Sequence, residues 1–285
     1  MNSTLKLWTQ LGLGTALAGG LLAACSGGEA GGEAGGEGAQ TPPEAAATAG
    51  EGEGGSGEGE SATAGGEGEG GVAVADAAKD PVAYGIALAV AEAHVAAAKD
   101  AYAAGNKQAA AELFAHPVSE VLLDMDPVFA KLGVADFKPL FTAASDAAFA
   151  GKSTAEINAA YDKIIAALRA AAQKAPQNGA SPAKVATGVI ADMIERSSAM
   201  YRSLAKAEGD EPYLDGYGFS RAAANAFAAS GGAIKAENPE AHARITEALG
   251  LLAKAYPGAA RPGKLPVEAG ALSGASAKVM LAAGG

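Results

Sequence analysis

A chain of 285 residues holds 40 Gly, 13 Pro, a single Cys and 3 His. Residues 26–71 contain 18 Gly and 10 Glu with no Lys or Arg, so most of the −11 formal charge belongs to that one segment. The 214 residues from 72 onward carry 20 basic and 22 acidic side chains, and no basic patch among them argues for nucleic acid. One cysteine excludes an intramolecular disulfide, a four-cysteine zinc site and a thiol redox pair. The length from 72 onward suffices for one substantial core or two small ones.

Residues 1–24 read as a targeting segment. Lys6 supplies a positive start, and Leu11 to Ala24 are rich in Leu, Ala and Gly, a stretch too short to span a bilayer comfortably. It ends in Leu22-Ala23-Ala24-Cys25, which resembles the bacterial lipobox, in which the cysteine is lipidated and becomes the new N-terminus. The alternative is an ordinary secretory signal with a stray Cys. Lipidation implies that several acyl chains, at about 0.8 kcal/mol per buried CH2, hold the protein at a membrane. Ser26 in place of Asp after the cysteine implies, by similarity to enterobacterial lipoproteins, the outer membrane.

Residues 25–71 are expected to form the lipidated Cys25 and a disordered tether. From 26 to 71 there is no Val, Ile, Leu, Met or aromatic residue, so burial cannot offset the entropy of ordering. A flexible chain of this length spans roughly 35–40 Å, and more when charged. A calcium sponge is the other reading of the Glu run, but scattered carboxylates on a floppy chain lack a preorganised oxygen cage.

From 72 to 285 the punctuation predicts an all-α bundle of about eight or nine helices. Asp80-Pro81 reads as N-cap and first helical residue, with Gly105 as the stop. Shorter helices are expected at 106–114, 117–131 (with a kink or restart at Asp126-Pro127) and 138–150. Ser153-Thr154-Ala155-Glu156 is a capping box that opens a helix to about Lys174. Ser181-Pro182 begins another that runs to about Ala207, and Asn238-Pro239 begins one that ends before Pro257. Helices at 213–230 and 266–282 complete the set. No stretch alternates with period two, so strands are not expected. The Pro/Gly break at 176–181 is where two bundled halves would meet.

Common catalytic motifs are missing: there is no H-E-x-x-H, no Walker A loop and no G-x-S-x-G elbow. S-x-x-K occurs at Ser181, Ser203 and Ser3, the last inside the signal segment, which marks it as chance. Gly216 and Gly218 follow no strand, so a dinucleotide fold is not supported. The chain is read as no enzyme.

The three histidines differ in setting. At 100° per residue, Tyr84, Leu88, Ala91, Val95, Ala98 and Tyr102 share a stripe, and His94 lies beside it, partly buried. A hydrogen-bonded core histidine is the bland alternative. His116 precedes Pro117 and is expected at the N-cap of the next helix, with Glu120 and Asp124 above it at i+4 and i+8. An imidazole and a carboxylate so spaced can share a metal, as in bundle sites. The apolar stripe Val118, Leu122, Met125, Phe129 and Leu132 points almost opposite to Glu120, so a solvated face fits equally. His242 sits in a polar first turn and is expected to be exposed.

Two segments carry a family resemblance. Ala93-His94-Val95, then Gly105, then Phe114-Ala115-His116-Pro117-Val118-Ser119-Glu120 looks like a pattern of exported bacterial proteins. Val189 to Met193, Tyr201 and Tyr213-Leu214-Asp215-Gly216-Tyr217-Gly218-Phe219 are similar to periplasmic helical regions that accompany iron permeases and to imelysin-like iron-uptake lipoproteins. The resemblance implies an all-helical periplasmic fold with His and carboxylate metal ligands. The imelysin-like Gly-x-His-x-x-Glu is absent as such, the His-to-Glu spacing being one residue longer. Two readings stand. One is a lipid-anchored accessory that binds one iron or other transition-metal ion through His94, His116 and Glu120, with Asp124 outer or alternate. Its partners would be the membrane and an iron transporter or other envelope protein. The other is an envelope scaffold lipoprotein without metal.

Overall fold

The computed structural model describes residues 71–206 and 209–284. The expected signal segment, the lipidated Cys25 and the tether up to residue 70 lie outside the described residues. Among those described there are ten helices and no strand: α1 Val74–Ala77, α2 Pro81–Ala103, α3 Lys107–Pro117, α4 Asp126–Leu132 and α5 Lys138–Phe149 in the first half. The second half has α6 Thr154–Ala172, α7 Pro182–Ser203, α8 Glu211–Glu237, α9 Pro239–Ala255 and α10 Ala269–Gly284. The bundle is all-α, as its caps and alanine content imply. The four-residue α1 is the helix that punctuation does not reveal.

The caps act as written. Asp80 accepts from Val82 N, Ser181 from Lys184 N and Asn238 from Ala241 N, while Ser153 and Glu156 close both halves of a capping box. Each such cap contributes about 1 kcal/mol. Gly105, at φ +94°, turns the chain from α2 into α3, whose N-cap is Asn106. Among the expected boundaries that move by a few residues, including the end of α7 at Ser203 and the start of α10 at Ala269, two bear on the site. α8 runs from 211 to 237 rather than 213 to 230, because its Gly231 lies on the buried face and continues the helix. His116 is not an N-cap: it and Pro117 form the last turn of α3, and the chain passes directly into a π turn, Val118–Leu122.

Centrally placed, α2 has 16 of its 23 residues buried, as a helix that is apolar nearly all round must be. It packs against α3, α6, α7 and α8. By length and composition it could cross a membrane, but 78% of its most apolar window is buried in the bundle. Polar groups within it are matched: Tyr84 donates to the Ala171 carbonyl at 2.9 Å, and burial pushes its hydroxyl up to about 12. Glu92, 7% exposed, accepts from both terminal nitrogens of Arg169 at 2.7 and 2.8 Å. The pair α7–α8 is the largest interface, and α10 covers α7 and α9. One core is continuous across the break at 176–181.

Candidate metal centre

Four elements converge where α2, α3 with its π turn, and the start of α8 meet. His94 from α2 is 4% exposed. Its Nδ1 lies 2.9 Å from the Val90 carbonyl one turn back, which assigns the ring proton to Nδ1. Nε2 then carries a lone pair in the neutral ring. It faces Glu120 Oε2 at 3.2 Å and Asp215 Oδ1 at 3.6 Å. His116 closes the group, with Nδ1 3.5 Å from Glu120 Oε1 and Nε2 3.8 Å from Glu211 Oε1. The two imidazole centroids are 5.9 Å apart, and Phe219 sets its ring edge-on to His94 at 5.8 Å.

Local backbone chemistry explains how the groups arrive. Pro117 has no N–H to bond back into α3, and the next turn widens: Leu123 N donates to the Val118 carbonyl five residues earlier. A π turn takes up about one extra residue and often marks a functional position. Within it Glu120, which an ideal wheel points away from the apolar stripe, comes to 3.2 Å from the buried His94. On α8, Gly218 lets two backbones touch. A Cβ there would lie 2.4 Å from the Ala93 carbonyl oxygen, so only glycine permits this approach. Asp215, one turn before Gly218, is thereby carried to His94. Ser197 on α7 donates to the Gly216 carbonyl at 2.8 Å, and Tyr256 donates to the Ser197 carbonyl, pinning that turn from behind.

Of the residues expected from sequence, His94, His116 and Glu120 are brought together. Asp124 is not: it is exposed and stands outside the cluster, since the π turn ends before it. His242 is half-buried rather than exposed, its ring 5.0 Å from that of Phe227 on the preceding helix. Asp215 is the member that sequence reasoning missed as a ligand. The available signal was the run Asp215-Gly216-Tyr217-Gly218, whose glycines place an acidic residue where α8 comes closest to its neighbours.

Electrostatics at the centre are unbalanced unless a proton or a cation sits among its acceptors. Asp215 Oδ1 is a buried oxygen with no hydrogen-bond partner. Burial raises the Asp215 carboxyl from 3.8 to about 7, with His116 opposing the rise and Glu120 and Glu211 adding to it. Three acceptors, two carboxylate oxygens and the Nε2 lone pair, point at the same space. Either protons or a metal ion can reconcile them. One ligand atom each from His94, His116 and Asp215 lie within 4.8 Å of one another. Metal–ligand bonds of about 2.0–2.2 Å in a tetrahedral site hold ligand atoms about 3.3–3.6 Å apart, so the side chains need close by about 1 Å, within reach of rotamer adjustment. Two imidazoles with carboxylates and no sulfur suit zinc, iron and other borderline ions rather than Cu(I). The Val90 carbonyl orients His94 as outer-sphere acceptors orient metal-bound histidines.

His116 also lines a cleft of ≈ 270 Å³ between α3 and the start of α8. Glu112, Asp210 and Glu211 line it, with Leu214 on the wall beside Asp215, and among the described residues its lining includes no Lys or Arg. Compared with family models, with curated proteins and with solved structures, the chain gives no match.

Proposed function

We propose that the bundle binds one transition-metal ion through His94, His116 and Asp215, with Glu120 as fourth ligand, and presents it from the cell envelope. On this reading Cys25 carries the lipid anchor at the outer membrane, and residues 26–71 are the tether. The protein serves as an iron-uptake accessory without a catalytic step of its own. One observation carries the metal reading: a buried, unpartnered Asp215 oxygen aimed at the lone pair of a buried imidazole. A scaffold has no use for that arrangement, because it costs folding free energy that an apolar pair would not. The iron and envelope parts rest on the lipobox at Leu22–Cys25 and on the two segments that resemble iron-uptake proteins.

The test is calorimetric titration, with elemental analysis, of the full-length chain purified without a His tag, using Fe(II) under anaerobic conditions, Zn(II) and Cu(II). One ion per chain is expected. A double variant His94→Ala, His116→Ala with unchanged helical circular dichroism should lose it. If wild type and variant bind each metal equally weakly, the carboxylates and imidazoles are held together by protons and the scaffold reading replaces this one.

A further inference from the structure

The centre is graded from inside to outside. The side chains of His94, Asp215, His116 and Glu120 are 5%, 18%, 24% and 26% exposed, and that of Glu211, beyond His116, is 68% exposed. His116 uses its two nitrogens in opposite directions, Nδ1 toward Glu120 in the centre and Nε2 toward Glu211 in the cleft. Any species reaching the buried groups past His116 crosses a lining that offers three carboxylates and no lysine or arginine among the described residues. A cleft with walls of one sign focuses the field and raises the local concentration of counter-ions. The nearest cation on α3, Lys107, is turned away, its Nζ over the Tyr102 ring at 5.6 Å.

We infer that this cleft is the route by which the metal reaches the centre and leaves it, and that its cargo arrives as a free aquo cation rather than as an anionic chelate. Glu211 is the first carboxylate to engage the ion. It replaces a water of hydration and hands the cation to His116, which passes it toward Glu120, Asp215 and His94. A chelate with net negative charge is repelled at the mouth by Glu112, Asp210 and Glu211, and the guanidinium beside the mouth, that of Arg261, is committed to the Gly209 and Leu204 carbonyls rather than to the cleft lining. The inference rests on the metal reading above and adds to it the chemical class of the cargo and the direction of approach.

Stopped-flow mixing of the full-length chain with Co(II), followed by the absorbance of the bound ion, tests it. The triple variant Glu112→Gln, Asp210→Asn, Glu211→Gln should associate at least about 5-fold more slowly at low ionic strength, with a flatter salt dependence and still one ion per chain. Neutralising two exposed acids elsewhere, Asp162→Asn and Glu240→Gln, should leave the rate unchanged. Co(II) presented as its nitrilotriacetate complex should load no faster than free ion dissociates from that complex. An unchanged rate and salt slope in the triple variant, or direct loading from the anionic complex, overturns the route. Absence of any bound ion in the wild type at equilibrium overturns the centre itself, a different result.

Discussion

Replacing Asp215 by asparagine separates what the centre does for metal from what it does to the fold. Without metal, the aspartate must either hold a proton to about pH 7 or leave a buried anion facing Glu120 and the His94 lone pair. The unfolded chain gives up that proton near the ordinary value of 3.8. Between these two pH values the unfolded state binds fewer protons than the native state, so the stability of metal-free protein falls as pH rises through that window. The interval, 3.8 to about 7, at about 1.4 kcal/mol per pH unit, sets an upper bound of about 4–5 kcal/mol. Asp215→Asn removes the charge and offers an N–H to His94 Nε2. In metal-free urea and thermal melts at pH 8 it should gain about 2–4 kcal/mol, or roughly 5–10 °C for a domain of this size. The pH-dependent decline attached to Asp215 should vanish with it. The same variant should lose the metal-induced rise in melting temperature that wild type shows. An asparagine variant that melts at or below wild type, with chelator present at pH 8, refutes the reasoning.

Gly218→Ala should cost about 1–3 kcal/mol by urea denaturation, since the new Cβ meets the Ala93 carbonyl rather than a movable side chain, and should weaken metal binding more than Gly232→Ala, where the Cβ meets nothing. Arg169→Ala takes its bidentate partner from Glu92, which keeps only a 3.5 Å contact from Asn225; because the guanidinium is itself 57% exposed, the loss should be about 1–2 kcal/mol. Cys25→Ala should accumulate as unprocessed or soluble precursor in cell fractionation; a mature, membrane-bound form of that variant would remove the anchor. A chain lacking residues 26–70 should melt within about 2–3 °C of the full chain. The cut belongs before Gly71, whose carbonyl accepts from Arg196 at 2.7 Å.

Helix existence was legible because caps are local: Asp80, Ser153, Ser181 and Asn238 each bond a backbone N–H within three residues, and sequence shows all of that. His94 was legible as a face and Glu120 as a spacing. The role of His116 was misplaced because His-Pro reads as a helix start by the usual asymmetry of proline. A proline inside a helix is tolerated here because the turn that follows is wide, and width is a tertiary outcome set by packing. Asp215 was not legible as a ligand, standing 121 positions after His94 in the chain. Only the glycines around it hinted that its helix presses against others. His242 shows the same limit, since Phe227 comes from the preceding helix.

The apolar character of α2 bears on biogenesis. On the envelope reading the chain must pass through a protein-conducting channel before any bundle exists, and in that setting Pro81–Ala103 presents a segment fit for lateral release into lipid. Glu92 stands at its middle, with Arg169 still far behind in the chain. A charged side chain at the centre of such a segment opposes insertion by about 2.5–3.5 kcal/mol. Folding later has to neutralise that carboxylate with a guanidinium, at little net gain over a leucine pair. On that reading its use comes earlier, in transit, where it opposes release of this helix into lipid.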